Sequence, residues 1–224
     1  MVAKSRAWSQ FSSLHLVDLA NGGVDLIAVI DYKAGNLTSV MKALRATGAD
    51  PVLTDDPAVA RRADKIILPG VGHFAATQFL DDRGLKEAVR GRIAAGVLFL
   101  GICVGLQWLF AGSTEAPGCA GLGAFDELCE RFAPGKKVPH VGWNSLAIRA
   151  GSRLFAGVPD GSFVYFTHSW RAPVIQDTVA VTEYGEPFTA AVERDNVMGV
   201  QFHPEKSGDA GLQVLKNFLE LPGC

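Results

Sequence analysis

The sequence has no long apolar run, no excess of positive charge and no clustered cysteines, and each absence excludes a class of protein. Its most apolar stretch covers ten residues, 97–106, which is about half of the roughly 20 that a membrane-spanning helix needs. Lysine and arginine number 21 against 23 acidic residues, so the net charge is −2 and does not favour electrostatic binding to nucleic acid. Hydrophobic residues make up 48% of the 224 residues, enough to support a folded core. We therefore expect a globular protein that binds neither membrane nor nucleic acid.

The cysteines limit the chemistry further. There are four of them: Cys103, Cys119, Cys129 and Cys224. No two form a CxxC pair and none has a histidine at metal-ligand spacing, so we expect no metal site and no cofactor. So few cysteines over this length also argue against a disulfide framework. We expect a reduced, cytoplasmic protein whose thiol chemistry depends on one cysteine.

The N-terminal residues 1–23 contain Lys4 and Arg6 but lack the apolar core of a secretory signal. We expect either a disordered N-terminal extension or an upstream-extended start of the sequence, with an organelle transit peptide as the alternative. Residues 24–224 contain no internal repeat, low-complexity tract or linker, and we expect them to form one domain.

Strands and helices alternate through the first half of this domain. The predicted strands are 26–31, 52–53, 65–68 and 97–100, and the predicted helices are 37–47, with Asn36 as N-cap and Gly48 just past its end, and 84–95. Such alternation predicts βαβ units and a parallel sheet. The second half has short strands separated by turn residues, which predict an antiparallel extension. They cover 125–132, 143–148, 162–168, 178–183 and 188–193, and a buried strand at 197–202 and a helix at 212–219 follow.

The strongest local signal is the segment Gly101-Ile102-Cys103-Val104-Gly105, which lies between a predicted strand and an apolar helix. It is the thiol form of the GxSxG nucleophile elbow. Flanking glycines suit such a turn because a Cβ would clash with the crossing strand and helix. A helix N-terminus favours the thiolate, and the Val104 N–H points to where an oxyanion would form. The alternative is that Cys103 is a small buried hydrophobic residue.

A thiol nucleophile needs a base, and His203 follows a predicted parallel strand, as Cys103 does. Functional groups of parallel strands meet at the carboxyl ends, so the two residues are expected to lie close together. Glu205 could then accept a hydrogen bond from the second imidazole nitrogen. A structural histidine is the alternative. Residues 69–72 (PGVG) also end a strand and suggest a second oxyanion donor, or else a simple turn.

Taken together, these residues resemble a known family. GICVGLQ at 101–107 with HPE at 203–205 resembles the class I (triad) glutamine amidotransferases. Further segments look like the glutaminase subunits of imidazole glycerol phosphate synthase, in the correct order over about residues 26–220. They are IDYKAGN at 30–36, LPGVGHF at 68–74, VPHVGWN at 138–144, YFTHSW at 165–170 and GVQFHPEKSG at 199–208.

The resemblance implies a flavodoxin-like α/β fold, with a mostly parallel central sheet flanked by helices and an antiparallel extension. It also implies roles for individual residues. The implied triad is Cys103, His203 and Glu205; the oxyanion donors are the N–H groups of Val104 and of Val71 or Gly72; and the glutamine-binding residues are Gln107 and Glu115. Without the resemblance, Gln107 would be interpreted as a helix-surface residue and Glu115 as a solvated loop acid.

The implied reaction is hydrolysis of L-glutamine to glutamate and ammonia through a cysteine thioester. In the family, ammonia passes to a cyclase partner, a (β/α)₈ barrel, in a heterodimer. The cyclase makes imidazole glycerol phosphate and aminoimidazole carboxamide ribotide for histidine biosynthesis. This chain has no eightfold βα pattern, so the cyclase must be a separate chain.

Two further predictions concern the partner. His140, Trp143 and Lys206 are expected to line the face that meets the cyclase, with burial beneath the antiparallel strands as the alternative for Trp143. The loop 69–72 is expected to turn its N–H toward the reacting carbonyl only when the partner binds its own substrate.

Two other protein classes compete with this interpretation. A cysteine peptidase or stress protein on the same fold would share the elbow, but HPE, Gln107 and Glu115 disfavour it. A catalytically dead binding subunit is disfavoured because all three triad positions are filled.

Overall fold

The computed structural model describes residues 25–223. Residues 1–24 and Cys224 lie outside this range, so the expected extension over 1–23 stays a prediction. The first half contains β1 (Ile27–Ile30), α1 (Leu37–Ala46), β2 (Val52–Thr54), α2 (Pro57–Ala60), β3 (Lys65–Gly70), α3 (Gln78–Asp82), α4 (Leu85–Ala94), β4 (Leu98–Cys103) and α5 (Val104–Leu109). The second half contains β5 (Gly112–Ser113), β6 (Leu128–Arg131), β7 (His140–Ser145), β8 (Ala147–Ile148), β9 (Phe163–His168), β10 (Trp170–Arg171), β11 (Thr178–Glu183), β12 (Pro187–Arg194), β13 (Val197–Val200) and α6 (Gly208–Glu220).

The central sheet has eight strands in the order β2-β1-β3-β4-β13-β12-β11-β8. The first five are parallel and follow the flavodoxin-like order. The last three continue the sheet in antiparallel pairing. Helix α1 packs with α6, and α2 and α3 pack with α4. This arrangement confirms the predicted α/β fold with a mostly parallel sheet and an antiparallel extension.

Some strands predicted for the extension lie outside the central sheet. The predicted strand 125–132 is β6, which joins β5 and β10 in a small three-stranded sheet, and 162–168 is β9, which pairs with β7 in a two-stranded ribbon. The assignment of these segments to one extension was therefore wrong. Alternating polarity indicates that one face of a strand is buried, but it does not specify the strand with which it pairs.

The site depends on the register of the parallel strands. Strands β3 and β4 run further than predicted, because their ladder continues until Gly70 pairs with Cys103. Strand β13 pairs with β4 on the other side, with Val200 opposite Ile102. The segments that follow β3, β4 and β13 consequently meet at one edge of the sheet, as open α/β sheets generally arrange their functional loops.

The core is built around these strands. Every residue of β1, β3 and β4 is buried, and so is every residue of α5. The near-continuous apolar runs are typical of parallel strands that are covered on both faces. Within residues 25–223, none of the helices combines the length and apolarity needed to cross a membrane.

Candidate active site

Cys103 lies in a sharp turn between β4 and α5. Its backbone has φ 56° and ψ −107°, a conformation that costs a residue with a side chain about 1–3 kcal/mol. Cys103 contributes to the lining of a pocket of about 210 Å³. The strand, strained turn and helix are those that the motif predicts. The alternative of a plain core residue does not account for a strained backbone at the wall of a pocket.

The two glycines around Cys103 are required by close packing. A Cβ at Gly105 would lie 1.8 Å from the Leu68 carbonyl oxygen on the neighbouring strand. A Cβ at Gly101 would lie 2.3 Å from the carbonyl oxygen of Gly105 in the helix that follows. Neither contact is sterically allowed, so no larger residue fits at either position. The structure thus shows the clash with the crossing strand and helix that the sequence predicts as the reason for the two glycines.

His203 and Glu205 form a buried pair beyond the end of β13. The imidazole Nδ1 and Glu205 Oε1 are 2.9 Å apart, and the two side chains are only 2% and 1% exposed. Burial by itself lowers the pKa of His203, but the charge of nearby Cys103 and the bonded carboxylate of Glu205 raise it to about 10. A histidine held protonated beside a thiol favours the thiolate form of that thiol. The three groups that the motifs singled out are thus brought together.

The oxyanion candidates belong to two segments, the start of α5 and the loop after β3. Val104 and Gly72 contribute to its lining, and Val71 precedes Gly72 in the loop after β3. The loop begins at a tight point, because a Cβ at Gly70 would lie 1.8 Å from the Tyr32 hydroxyl. The structure therefore places the predicted loop against the elbow without testing which N–H donates.

Gln107 and Glu115 both contribute to the pocket lining. Gln107 is buried, and its amide nitrogen donates to the Trp170 carbonyl at 2.8 Å. Glu115 accepts a hydrogen bond from the Phe74 N–H at 2.8 Å. Burial therefore contradicts the alternative of a helix-surface glutamine for Gln107, whereas Glu115 is partly exposed. Their role in binding glutamine stays a prediction.

Sequence reasoning missed a second glutamine at the site. Gln201, just after β13, is fully buried and its Nε2 lies 3.6 Å from Cys103 Sγ. Its Oε1 accepts from Gln107 at 3.2 Å. The available signal was a polar residue between apolar neighbours in VMGVQF, since a buried amide requires hydrogen-bond partners.

Two histidines form a second buried pair beside the pocket. His140 Nδ1 and His168 Nε2 are 3.2 Å apart, and His168 Nδ1 bonds to the Trp170 carbonyl at 2.9 Å. A carbonyl only accepts, so the proton of His168 lies on Nδ1 and His140 donates to its Nε2. Burial lowers the pKa of His140 to about 4, and burial is also the largest cause that lowers the pKa of His168 to about 3. Both rings are therefore neutral at pH 7.

The predicted partner-facing residues divide into two groups. His140 is only 3% exposed and stacks between Phe166 and Tyr184, so its placement on the surface was wrong. Trp143, by contrast, is 55% exposed, which contradicts the alternative of burial for this residue. Strand alternation explains the difference, because residues three apart in β7 point to opposite faces. Lys206 is exposed as expected.

We expect His140 to make the protein sensitive to acid. Its pKa is about 4 in the folded protein, below the 6.5 of an ordinary histidine, so the unfolded chain binds more protons between these two pH values. The contribution of His140 to stability is therefore full above pH 6.5 and is lost as the pH drops toward 4. Between pH 7 and 5.5, the difference in unfolding free energy between wild type and His140→Phe should shift by about 1 kcal/mol in favour of the variant. Urea titrations at both pH values measure this difference.

Titratable groups that wild type and variant share contribute equally to the two unfolding free energies and drop out of their difference. His203 and the carboxylates are present in both proteins, and phenylalanine preserves stacking on Tyr184. His168 loses the hydrogen bond from His140 in the variant, but it remains buried, and burial is the largest cause that lowers its pKa to about 3, so it is expected to stay neutral at both pH values. A difference that stays constant from pH 7 to 5.5 would show that His140 is not a neutral buried group.

The sequence matches the family model described as class-I glutamine amidotransferase over residues 28–221. It is 49% identical over 197 residues to imidazole glycerol phosphate synthase subunit HisH of Methanothermobacter thermautotrophicus, which covers 88% of this chain and 98% of that relative. The chain belongs to the HisH family of class I glutamine amidotransferases. The HisH subunit of Escherichia coli is 45% identical over 197 residues, or 87% of this chain and 99% of the relative.

The HisH assignment confirms the resemblance found in the sequence and the interpretation as an amidotransferase enzyme. A crystal structure of a glutamine amidotransferase has the same fold, with a TM-score of 0.70 at 20% identity over 89% of this chain and all of that chain. Membership in the HisH family also removes the peptidase and stress-protein alternatives.

Proposed function

We propose that the chain hydrolyses L-glutamine to L-glutamate and ammonia as the glutaminase subunit of an imidazole glycerol phosphate synthase. One observation carries this proposal: strained Cys103 and the buried His203–Glu205 pair follow neighbouring strands and meet beside a pocket that Gln107 and Glu115 help to line. The pocket offers a carboxylate for the α-ammonium group of an amino acid and a thiol for its side-chain carboxamide.

In the first half of the reaction, the Cys103 thiolate attacks the carboxamide carbon and a C–S bond forms. The carbonyl electrons move to oxygen, where the N–H groups of Val104 and of Val71 or Gly72 stabilise the negative charge. His203, protonated at the start, gives its proton to the departing nitrogen as the C–N bond breaks. Ammonia and a γ-glutamyl thioester are the products.

In the second half, neutral His203 takes a proton from water while the water oxygen attacks the thioester. The C–S bond then breaks, glutamate forms, and the thiolate and protonated imidazole are restored. Glu205 holds Nδ1 throughout, so that Nε2 is the nitrogen that exchanges protons. Burial of the pair excludes bulk water from this exchange.

Glutamine is held by its charged end. We assign the Glu115 carboxylate to the α-ammonium group, since Glu115 is an acid at the wall of the pocket. The Phe74 N–H fixes one carboxylate oxygen, and the other oxygen remains for the substrate. Gln107 contributes to the lining of the same pocket, where we expect it to contact the amino-acid chain of the substrate.

The ammonia acceptor is proposed to be a separate (β/α)₈-barrel cyclase in a heterodimer. The ribbon formed by β7 and β9 exposes Val141, Trp143 and Phe163, while Thr167 and His168 of the same ribbon contribute to the lining of the pocket. A partner on this ribbon would therefore lie beside the site where ammonia forms. The described cysteines, Cys103, Cys119 and Cys129, are free thiols, which supports a cytoplasmic location.

We expect glutamine hydrolysis to rise by about tenfold or more when the cyclase subunit and its ribotide substrate are added, because the partner completes the oxyanion loop. Glutamate release is measured with and without the cyclase, with and without the ribotide. A rate that does not respond to either addition would support a generic glutaminase instead.

The β7–β9 ribbon is tested as the docking surface with two substitutions and one control. Val141→Ala and Trp143→Ala should weaken cyclase binding, the latter by about tenfold or more. The control for Val141→Ala is Val52→Ala, which removes another exposed valine side chain on β2, an edge strand of the central sheet, and should leave cyclase binding unchanged. Equal binding by all three variants would place the interface elsewhere.

A further inference from the structure

Gln201 is a fully buried glutamine whose side chain joins the nucleophile to the pocket wall. It follows β13, and its backbone N–H donates to the Ala190 carbonyl at 2.8 Å. The side-chain amide lies between Cys103 Sγ, 3.6 Å from Nε2, and the Gln107 amide, 3.2 Å from Oε1. The residue does not itself belong to the lining of the pocket, so it has no direct route to the substrate.

The orientation of this amide is fixed by the groups around it. The Trp170 carbonyl can only accept hydrogen bonds, so the NH₂ of Gln107 must face it. The same NH₂ donates to Gln201, which requires the oxygen of Gln201 on that side. The NH₂ of Gln201 then faces Cys103 Sγ. If the oxygen and nitrogen of Gln201 were exchanged, its NH₂ would face the NH₂ of Gln107 and its oxygen would face the Cys103 thiolate. Neither contact could then be a hydrogen bond.

We propose that Gln201 is a positioning residue that holds the Cys103 sulfur as a thiolate and holds Gln107 at the pocket wall. A hydrogen bond from an amide to a charged sulfur is stronger than one to a neutral thiol, so this bond favours the reactive form. It also restrains the Cys103 side chain at a turn that already has an unfavourable backbone conformation. The consequence for turnover rests on the proposed glutaminase function, whereas the consequence for the thiol does not.

Gln201 therefore has two separable effects, one on Cys103 and one on Gln107. Loss of the donor acts on Cys103 and lowers kcat, because less thiolate is present at neutral pH. Loss of the acceptor acts on Gln107 and raises KM for glutamine. A residue that only filled space would affect neither the ionisation of the thiol nor these two constants separately.

The experiment measures the rate at which iodoacetamide alkylates Cys103 between pH 5 and 10, with mass spectrometry to identify the modified cysteine. In Gln201→Leu the midpoint of this pH profile should rise by about one unit and kcat should fall about tenfold, the effect of losing one charge-assisted hydrogen bond. Gln201→Glu should raise the midpoint further, since a carboxylate oxygen would then face the sulfur. KM should rise in Gln201→Leu.

The matched control is Thr189→Val, which removes hydrogen bonds to Thr178 and Pro173 from another fully buried side chain. It should leave the alkylation profile unchanged even if it lowers the melting temperature. If Gln201→Leu does not fold, Gln201→Met, which keeps the length of the side chain, decides the question. An alkylation profile equal to wild type in a folded Gln201 variant would overturn the proposal, whatever the change in kcat. A shifted profile in a protein without glutaminase activity would instead overturn the proposed function and leave the role of Gln201 intact.

Discussion

Replacement of Cys103 by alanine lowers the rate of glutamine hydrolysis by about 10⁴-fold or more, which is the scale on which covalent catalysis fails when its nucleophile is removed. Alanine keeps the Cβ and therefore the same strained backbone at φ 56°, so the fold should persist. Glutamate release by purified Cys103→Ala, measured with the cyclase subunit present, gives the residual rate.

The matched control for this experiment is Cys119→Ala. Cys119 is a partly buried free thiol outside the pocket lining, and its loss should leave the rate within about twofold of wild type, as expected for substitutions away from the site. Activity that persisted in Cys103→Ala would rule out the thioester mechanism. Equal losses in both variants would point to a general effect of removing cysteines.

The second large effect concerns stability. Gly105→Ala should destabilise the protein by about 3 kcal/mol or more, because the new methyl group would lie 1.8 Å from the Leu68 carbonyl oxygen and overpacking against backbone is not easily relieved. Helix α5 would have to move away from β3, which would also displace Cys103. Chemical unfolding of the variant and of wild type measures the difference.

At a glycine elsewhere in the chain, Gly91, we expect replacement by alanine to stabilise the protein. Gly91 lies inside α4, and a Cβ there would have no neighbour within 4 Å. Gly91→Ala should therefore stabilise the protein by up to about 1 kcal/mol, the difference in helix propensity. If Gly105→Ala and Gly91→Ala changed stability alike, close packing would not be the reason for the elbow glycines.

The elbow could be predicted from sequence because its requirements are local. Two glycines at fixed spacing around Cys103, between an apolar strand and an apolar helix, specify a tight turn whatever the rest of the chain does. His203 could be placed near Cys103 by the rule that functional loops meet at the carboxyl ends of parallel strands. The parallel pairing of β13 with β4, with Val200 opposite Ile102, then brings the segments that follow the two strands side by side.

Other features depended on partners that lie far away in the chain. Gln201 bonds to Cys103 and Gln107, and His140 bonds to His168; no periodicity in the sequence relates such pairs. The same is true of the β7–β9 ribbon and the small sheet of β6, whose alternating patterns are equally compatible with the central sheet. Helices α2 and α3 have only four and five residues, too few to show a helical period.

The strand order also has a consequence for how the protein reaches its active form. Strand β4 lies between β3 and β13, and β13 comes from the last part of the described chain. A folding intermediate that had assembled β1 to β4 would already contain the elbow, yet the edge beside β4 would be open and the base would be absent. Contacts between residues so far apart in the sequence form slowly, because the chain loses the entropy of closing a long loop before the contacts stabilise it. Pairing of β13 with β4 therefore both covers an aggregation-prone sheet edge and completes the triad, so that the thiol meets its base only in chains in which these two strands have paired.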